Sequence, residues 1–217
     1  MANKILTIDD LVNSIDNDLA WRKKEIHYIK TLIPKEKSVK QSSYLRLAVP
    51  LLYAHWEGFA KSSTEAYLKY VSLKNLRHTD LRPQFIALSL SKLLGLSEIK
   101  NLEGKTTIVN ALLLKLNDRA QIPTKEIIQT KSNLRYDVFR EIIFTLSLSE
   151  ERFCIYKSFI DDLVDTRNHI AHGNYLKVEY KECISMCDDL TTLLEMLKNE
   201  ILNSAVLELF KTSSEPI

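Results

Sequence analysis

Glycine and proline are scarce in this chain, four and five in 217 residues. With abundant Leu, Ile and Lys, that scarcity leaves little room for turn-rich architecture and points to an all-α fold. Three cysteines, an odd number with no CxxC pair, exclude a disulfide framework and fit a reducing compartment. No apolar run reaches roughly the 18 residues that a membrane span needs. The first ten residues, MANKILTIDD, lack the apolar stretch of a secretory leader. The expectation is a cytoplasmic protein with no membrane partner. No internal repeat or low-complexity segment is visible either.

What is present is a helical pattern long enough for one substantial core. The expected organisation is a single helical domain over 1–217, with a core at 37–210. Helices at 80–131 would form an inserted lobe, and 211–217 a frayed tail. The net charge of +2 is unevenly spread: residues 1–40 carry +2, 41–148 carry +6 and 149–217 carry −6. An acidic last third is not the basic footprint of an indiscriminate nucleic-acid binder.

Thr7, Asp9 and Asp10 signal a helix start, with an imperfect apolar face running to Ile33. Arg22-Lys23-Lys24 reads as a solvated face, with RNA contact as the alternative. After a linker at 34–38, a second helix is expected from Val39 to Val71, kinked or restarted at Pro50. Within it lies Tyr53-Ala54-His55-Trp56-Glu57-Gly58-Phe59. Trp56 is in phase with Leu45, Leu52 and Phe59 and reads as core. Gly58 inside a helix costs about 1 kcal/mol relative to Ala, so a second backbone is expected to cross there. Glu57 is either a surface carboxylate or the acid that pairs with Arg167. His55 reads as an ordinary partly buried histidine.

A third helix is expected from Asp80-Leu81-Arg82-Pro83 to Gly95, and one or two more within 97–121. The GKTT run at 104–107 lacks the first glycine and the preceding strand of a phosphate loop and is not one. Residues 122–131 carry no clear pattern. Ser132-Asn133-Leu134 reads as a turn into a helix over Tyr136–Leu146. A last helix is expected over Glu179–Phe210, with Cys183 and Cys187 as small core residues rather than metal ligands.

The stretch that organises the chain is Asp161 to Asn174, DDLVDTRNHIAHGN. Phe153, Tyr156, Phe159, Ile160, Leu163, Val164, Ile170 and Ala171 follow helical spacing, and Gly173-Asn174 supplies a stop. Arg167 is in register with the apolar stripe and needs an acidic or phosphate partner. His172 follows five residues later, about 140° round the helix. The plain alternative is that these cations simply meet the carbonyls and dipole of a helix C-terminus. Asp161, Asp162 and Asp165, within two turns of Arg167, could raise the His pKa or neutralise the Arg.

Arg167-Asn168-His169-Ile170-Ala171-His172-Gly173, near the end of the penultimate long helix, resembles the Arg-x4-His signature of the HEPN superfamily. His55–Phe59 and Ser132–Leu134 are similar to its prokaryotic MAE-type branch, and the resemblance covers residues 40–205. It implies an HEPN-like helical bundle that forms a homodimer, with the two motifs facing across a composite cleft. Many members are metal-independent ribonucleases, often toxins of defence or toxin–antitoxin systems. On that resemblance the substrate is RNA, and an antitoxin or defence-system protein is a further partner. His172 is the acid/base, Arg167 the phosphate clamp and Asn168 a polar positioner. His169 is a helper or a surface residue, and Glu57 a supporting one. The chemistry calls for no cofactor and no metal, because RNA carries its own 2′-OH nucleophile. In members partnered by nucleotidyltransferases a Tyr stands two positions after the His. Here Tyr175 stands three after His172, so that regulation does not carry over. The alternative reading is a catalytically silent HEPN module that binds a nucleotide or a partner protein.

Overall fold

The computed structural model describes residues 5–94 and 102–212; the expected third-helix end at Gly95 and the expectations for 97–101 and 213–217 lie outside them. Its helices are α1 (Ile8–Leu32), α2 (Val39–Leu73), α3 (Pro83–Ser89), α4 (Ser91–Leu94), α5 (Leu102–Lys115), α6 (Tyr136–Thr145), α7 (Lys157–Ala171) and α8 (Tyr180–Val206). No strand is present among the described residues, only isolated bridges. The fold is an all-α helical bundle. In it α2 packs on α1, α7 and α8, and α1 also packs on α8.

Local chemistry explains most boundaries. Thr7 accepts from the Asp10 amide while Asp10 accepts from the Thr7 amide, a reciprocal cap that starts α1. Ser38 caps α2 through the Gln41 amide at 3.0 Å. Pro50 does not restart α2, which is continuous to Leu73; the proline removes one amide donor without ending the helix. Neither the expected third nor the expected last helix runs its full length. The third is cut at Leu90, where the Ser89 hydroxyl contacts His78 and accepts from the Gln121 amide. The last ends at Val206, and Phe210 then buries itself against Tyr70. Lys211 and Thr212 are not frayed: Lys211 pairs with Leu81, and the Thr212 amide donates to the Asp80 carbonyl.

Residues 75–81 meet 116–122 through Arg77 opposite Arg119 and the Ala120 amide on the Leu76 carbonyl at 2.8 Å. α5, beyond that neck, contributes no buried residue. Cys183 and Cys187 are fully buried on α8. Their mutual contact, with burial, pushes the Cys187 thiol well up, so it stays protonated in the core.

The α1–α2 contact corrects two expectations at once. What crosses at Gly58 is not a backbone but the Arg22 guanidinium. A β-carbon on Gly58 would lie 2.8 Å from Arg22 Nη1 and 3.0 Å from Nη2. Arg22, expected on a solvated face, is only 8% exposed. It donates to Asp18 at 3.0 Å and to the His55 carbonyl at 3.3 Å, and stacks on Trp21. Lys23 and Lys24 do face solvent. His55 is more buried than expected, at 3% exposure. Its Nε2 lies 3.0 Å from Glu25 Oε2, yet neither ring nitrogen is aligned for a hydrogen bond.

Candidate functional site

The motif helix α7 is placed by its own sequence. Ile160, Leu163 and Val164 are buried, and Ile170 packs partly on the core. Ala171 is exposed rather than part of the stripe. The helix ends in a left-handed cap. Gly173, at φ 79°, lets its amide reach the Ile170 carbonyl and the Asn174 amide reach the His169 carbonyl. No atom lies within 4 Å of where a Gly173 β-carbon would stand, so conformation alone demands glycine here.

Arg167 is half-buried and finds a seat that the sequence did not suggest. Its guanidinium carbon is 3.9 Å from the centroid of the Tyr53 ring, and its Nη2 donates to the Ser132 carbonyl at 3.1 Å. Its Nε is buried without a hydrogen-bond partner. Among the described residues no carboxylate lies within ion-pair distance of it, and Glu57 makes no ion pair. Of the two readings of Glu57, the pairing with Arg167 is not formed, and the ring face and carbonyl take that place. Nor do the nearby acids neutralise Arg167. Asp165 pairs with Arg135, and Asp161 accepts from the Tyr136 amide and from Lys157. The Arg135 guanidinium holds the Asp165 carboxyl below its usual range.

The 131–135 turn is fixed from α2. The Leu134 amide donates to the Tyr53 hydroxyl at 2.9 Å, and Trp56 Nε1 donates to the Leu134 carbonyl at 3.0 Å. Trp56 is fully buried, edge-on to Phe139. These contacts hold Lys131 and Ser132 at φ 51° and 61°, a left-handed conformation costing about 1–2 kcal/mol per residue. That shape aims the Ser132 carbonyl at Arg167. Burial pushes the Tyr53 phenol up, so the hydroxyl remains a neutral acceptor.

His172 is the C-cap of α7 and is exposed. Its amide donates to the Asn168 carbonyl at 3.0 Å, and its imidazole has no partner among the described residues. Five residues place it about 7.5 Å along the axis from Arg167, and no contact joins the two within one chain. Asn168 is half-buried and lies one turn below His172. His169 is on the opposite flank from Arg167. Its Nδ1 donates to the Asp165 carbonyl at 2.9 Å, and it lines an α7–α8 groove with Asp162, Glu182 and Asp189. The geometry thus separates His169 and Glu57 from direct contact with Arg167. Sequence reasoning missed Tyr53 and Ser132 as its seat; the only available signal was a tyrosine at the head of the Trp56 stretch.

Among the described residues no group of three or more His, Cys, Asp or Glu is placed to hold a metal ion. No described helix is long and apolar enough to cross a membrane. No curated protein and no solved structure matches the chain. The RiboL-PSP-HEPN family model matches residues 17–203. That span includes most of α1, all of α2 and α7, the turn that seats Arg167 and most of α8. The match covers most of the sequence and supports the HEPN superfamily without singling out the MAE-type branch: the chain belongs to the RiboL-PSP-HEPN family.

Proposed function

We propose that the protein is a metal-independent endoribonuclease, serving as a toxin of a prokaryotic defence or toxin–antitoxin system. The observation that carries this reading is the state of Arg167: a guanidinium held by a ring face and a carbonyl, with no carboxylate among the described residues paired to it. A phosphodiester supplies the missing anion. A planar fork of donors suits the crowded phosphate of the transition state.

The reaction needs one proton removed and one delivered. The 2′-OH attacks its own phosphorus and loses its proton to one imidazole, while a second protonates the departing 5′-oxygen. The products are a 2′,3′-cyclic phosphate and a 5′-OH. Of the two exposed imidazoles at this helix end, His169 is tied to the Asp165 carbonyl, which leaves His172 as the one without a partner among the described residues. A two-fold dimer that brings two motifs together supplies the second. An apolar stripe supports that assembly: Leu47 and Leu51 are 66% and 46% exposed on α2, with Ala54 beside them. In this scheme Arg167 clamps phosphate, His172 moves protons, and Asn168 orients the base of the His172 turn.

The silent-module reading draws support from the same geometry, because Arg167 already braces the 131–135 turn. Cleavage of single-stranded RNA in excess EDTA separates the two. The wild type should cut and leave cyclic phosphate ends. Arg167→Ala and His172→Ala should each lose at least about a hundredfold. Equal activity in all three, or cleavage only with a divalent ion, removes the proposal.

A further inference from the structure

A second guanidinium repeats the arrangement of the first. Arg46 precedes Tyr53 by seven residues on α2, so two turns, about 10.5 Å, separate them on one face. Its Nη2 donates to the Asn174 carbonyl at 3.2 Å. Its guanidinium carbon lies 5.5 Å from the centroid of the Tyr175 ring. Its Nε, like that of Arg167, is buried without a hydrogen-bond partner. Among the described residues no carboxylate pairs with it.

Arg46 and Tyr175 line a cleft of about 570 Å³ between the start of α2 and the 175–179 strap. That size suits a small organic group. The charged residues in its lining are Lys37, Arg46 and Lys177 against Glu179 alone, which Lys177 engages at 2.6 Å. Three positive charges against one negative leave the lining net positive. Tyr175 is 75% exposed, so much of its ring is open to solvent. The cleft follows directly from the His172 end of α7, through Gly173 and Asn174.

We propose that Arg46 and Tyr175 form an accessory nucleotide subsite for single-stranded RNA. Arg46 holds a backbone phosphate neighbouring the scissile one, and Tyr175 stacks on the adjoining base. The chemistry fits: aromatic stacking tolerates any base, and a guanidinium tracks the backbone. Arg46 and Tyr53 lie along one face of α2, so the cleft and the Arg167 seat are two turns apart on that face. The inference takes its substrate from the ribonuclease reading above.

The test measures binding apart from cleavage. A fluorescein-labelled single-stranded RNA of about 12 nucleotides and mixed sequence is titrated with the full chain carrying His172→Ala. Adding Arg46→Ala or Tyr175→Ala should weaken binding about tenfold each, while Tyr175→Phe keeps it. Arg46→Ala should also flatten the salt dependence by about one phosphate contact. Tyr175 is exposed, so its variant reads the subsite even if Arg46→Ala loosens the strap. Unchanged affinity in both variants, or no binding by the His172→Ala chain, overturns the subsite. So does Arg46-dependent binding of AMP with no effect on the oligonucleotide, which would assign the cleft to a free nucleotide. Binding that depends on Arg46 and Tyr175 while the wild type never cleaves would sink the nuclease reading and leave the subsite standing.

Discussion

The Arg167 guanidinium carbon stands 3.9 Å from the centroid of the Tyr53 ring, and the Tyr53 hydroxyl accepts the Leu134 amide. One aromatic residue of α2 thereby sets both the motif arginine and the turn whose carbonyl that arginine contacts. Tyr53→Phe and Tyr53→Leu should separate the two tasks. The phenylalanine leaves a buried amide unpaired and should lower stability by about 1–3 kcal/mol while keeping RNA cleavage within a few fold. The leucine also removes the seat of Arg167, worth about 0.5–2 kcal/mol, and should reduce cleavage about tenfold further. Thermal melts and EDTA-resistant cleavage on both variants provide the check. Equal cleavage by both would mean that the ring does not position Arg167.

Gly58 should behave against its helix propensity. Alanine is better than glycine in a helix by about 1 kcal/mol, yet here its β-carbon meets the buried Arg22 guanidinium. Gly58→Ala is therefore expected to lower the melting temperature in the wild type and to raise it in Arg22→Ala. A coupling of about 1 kcal/mol or more in the double-mutant cycle is the expected signature. Additive effects would show that Arg22 moves aside at no cost.

His55 should make the fold sensitive to mild acid. Burial, with the Arg22 charge beside it, holds its imidazole below the ordinary value of 6.5, against the opposing pull of Glu25 and Asp18. Just below that pH the unfolded chain binds a proton that the folded one refuses, so stability falls as pH drops from about 6.5 towards the folded value. His55→Phe should flatten the melting temperature between about pH 7 and 5.5. Parallel curves for the two proteins would assign any slope there to other groups.

The α2 stripe gives the dimer a direct test. Leu47→Glu with Leu51→Glu alters positions that are exposed in the single subunit, so the helical content seen by circular dichroism should be kept. Sedimentation should shift from dimer to monomer, and RNA cleavage should fall by at least about a hundredfold, since in the proposed dimer each subunit holds half of a site. A monomeric wild type, or an active monomeric variant, would remove the composite site.

Much of this bundle was legible in one sequence. The capping pair Thr7–Asp10, the α2 start at Val39, the Gly173 stop and the buried phases of Trp56 and Ile160–Val164 all follow from short-range rules. Such rules act within a turn or two of helix, where spacing and chemistry are both visible. The seat of the motif arginine was not legible. Arg167 contacts Ser132, 35 residues away, and Tyr53, still further along the chain. Nothing local distinguishes a tyrosine that carries a guanidinium from one that fills a core. The His55–Phe59 stretch misled for the same reason: Gly58 and the His55 carbonyl serve Arg22 on another helix.

The sequence by itself determined an all-α chain with an arginine and a histidine near one helix tip, because periodicity, caps and breakers are written in neighbouring residues. Only the tertiary structure decided what surrounds them. The acids beside Arg167 turn to Arg135, Tyr136 and Lys157, which leaves its charge to a ring face and a carbonyl. Arg46 came to rest on Tyr175 in the same way. Which partner a guanidinium meets depends on how helices far apart in sequence pack, and that packing is set by the whole core rather than by any one segment.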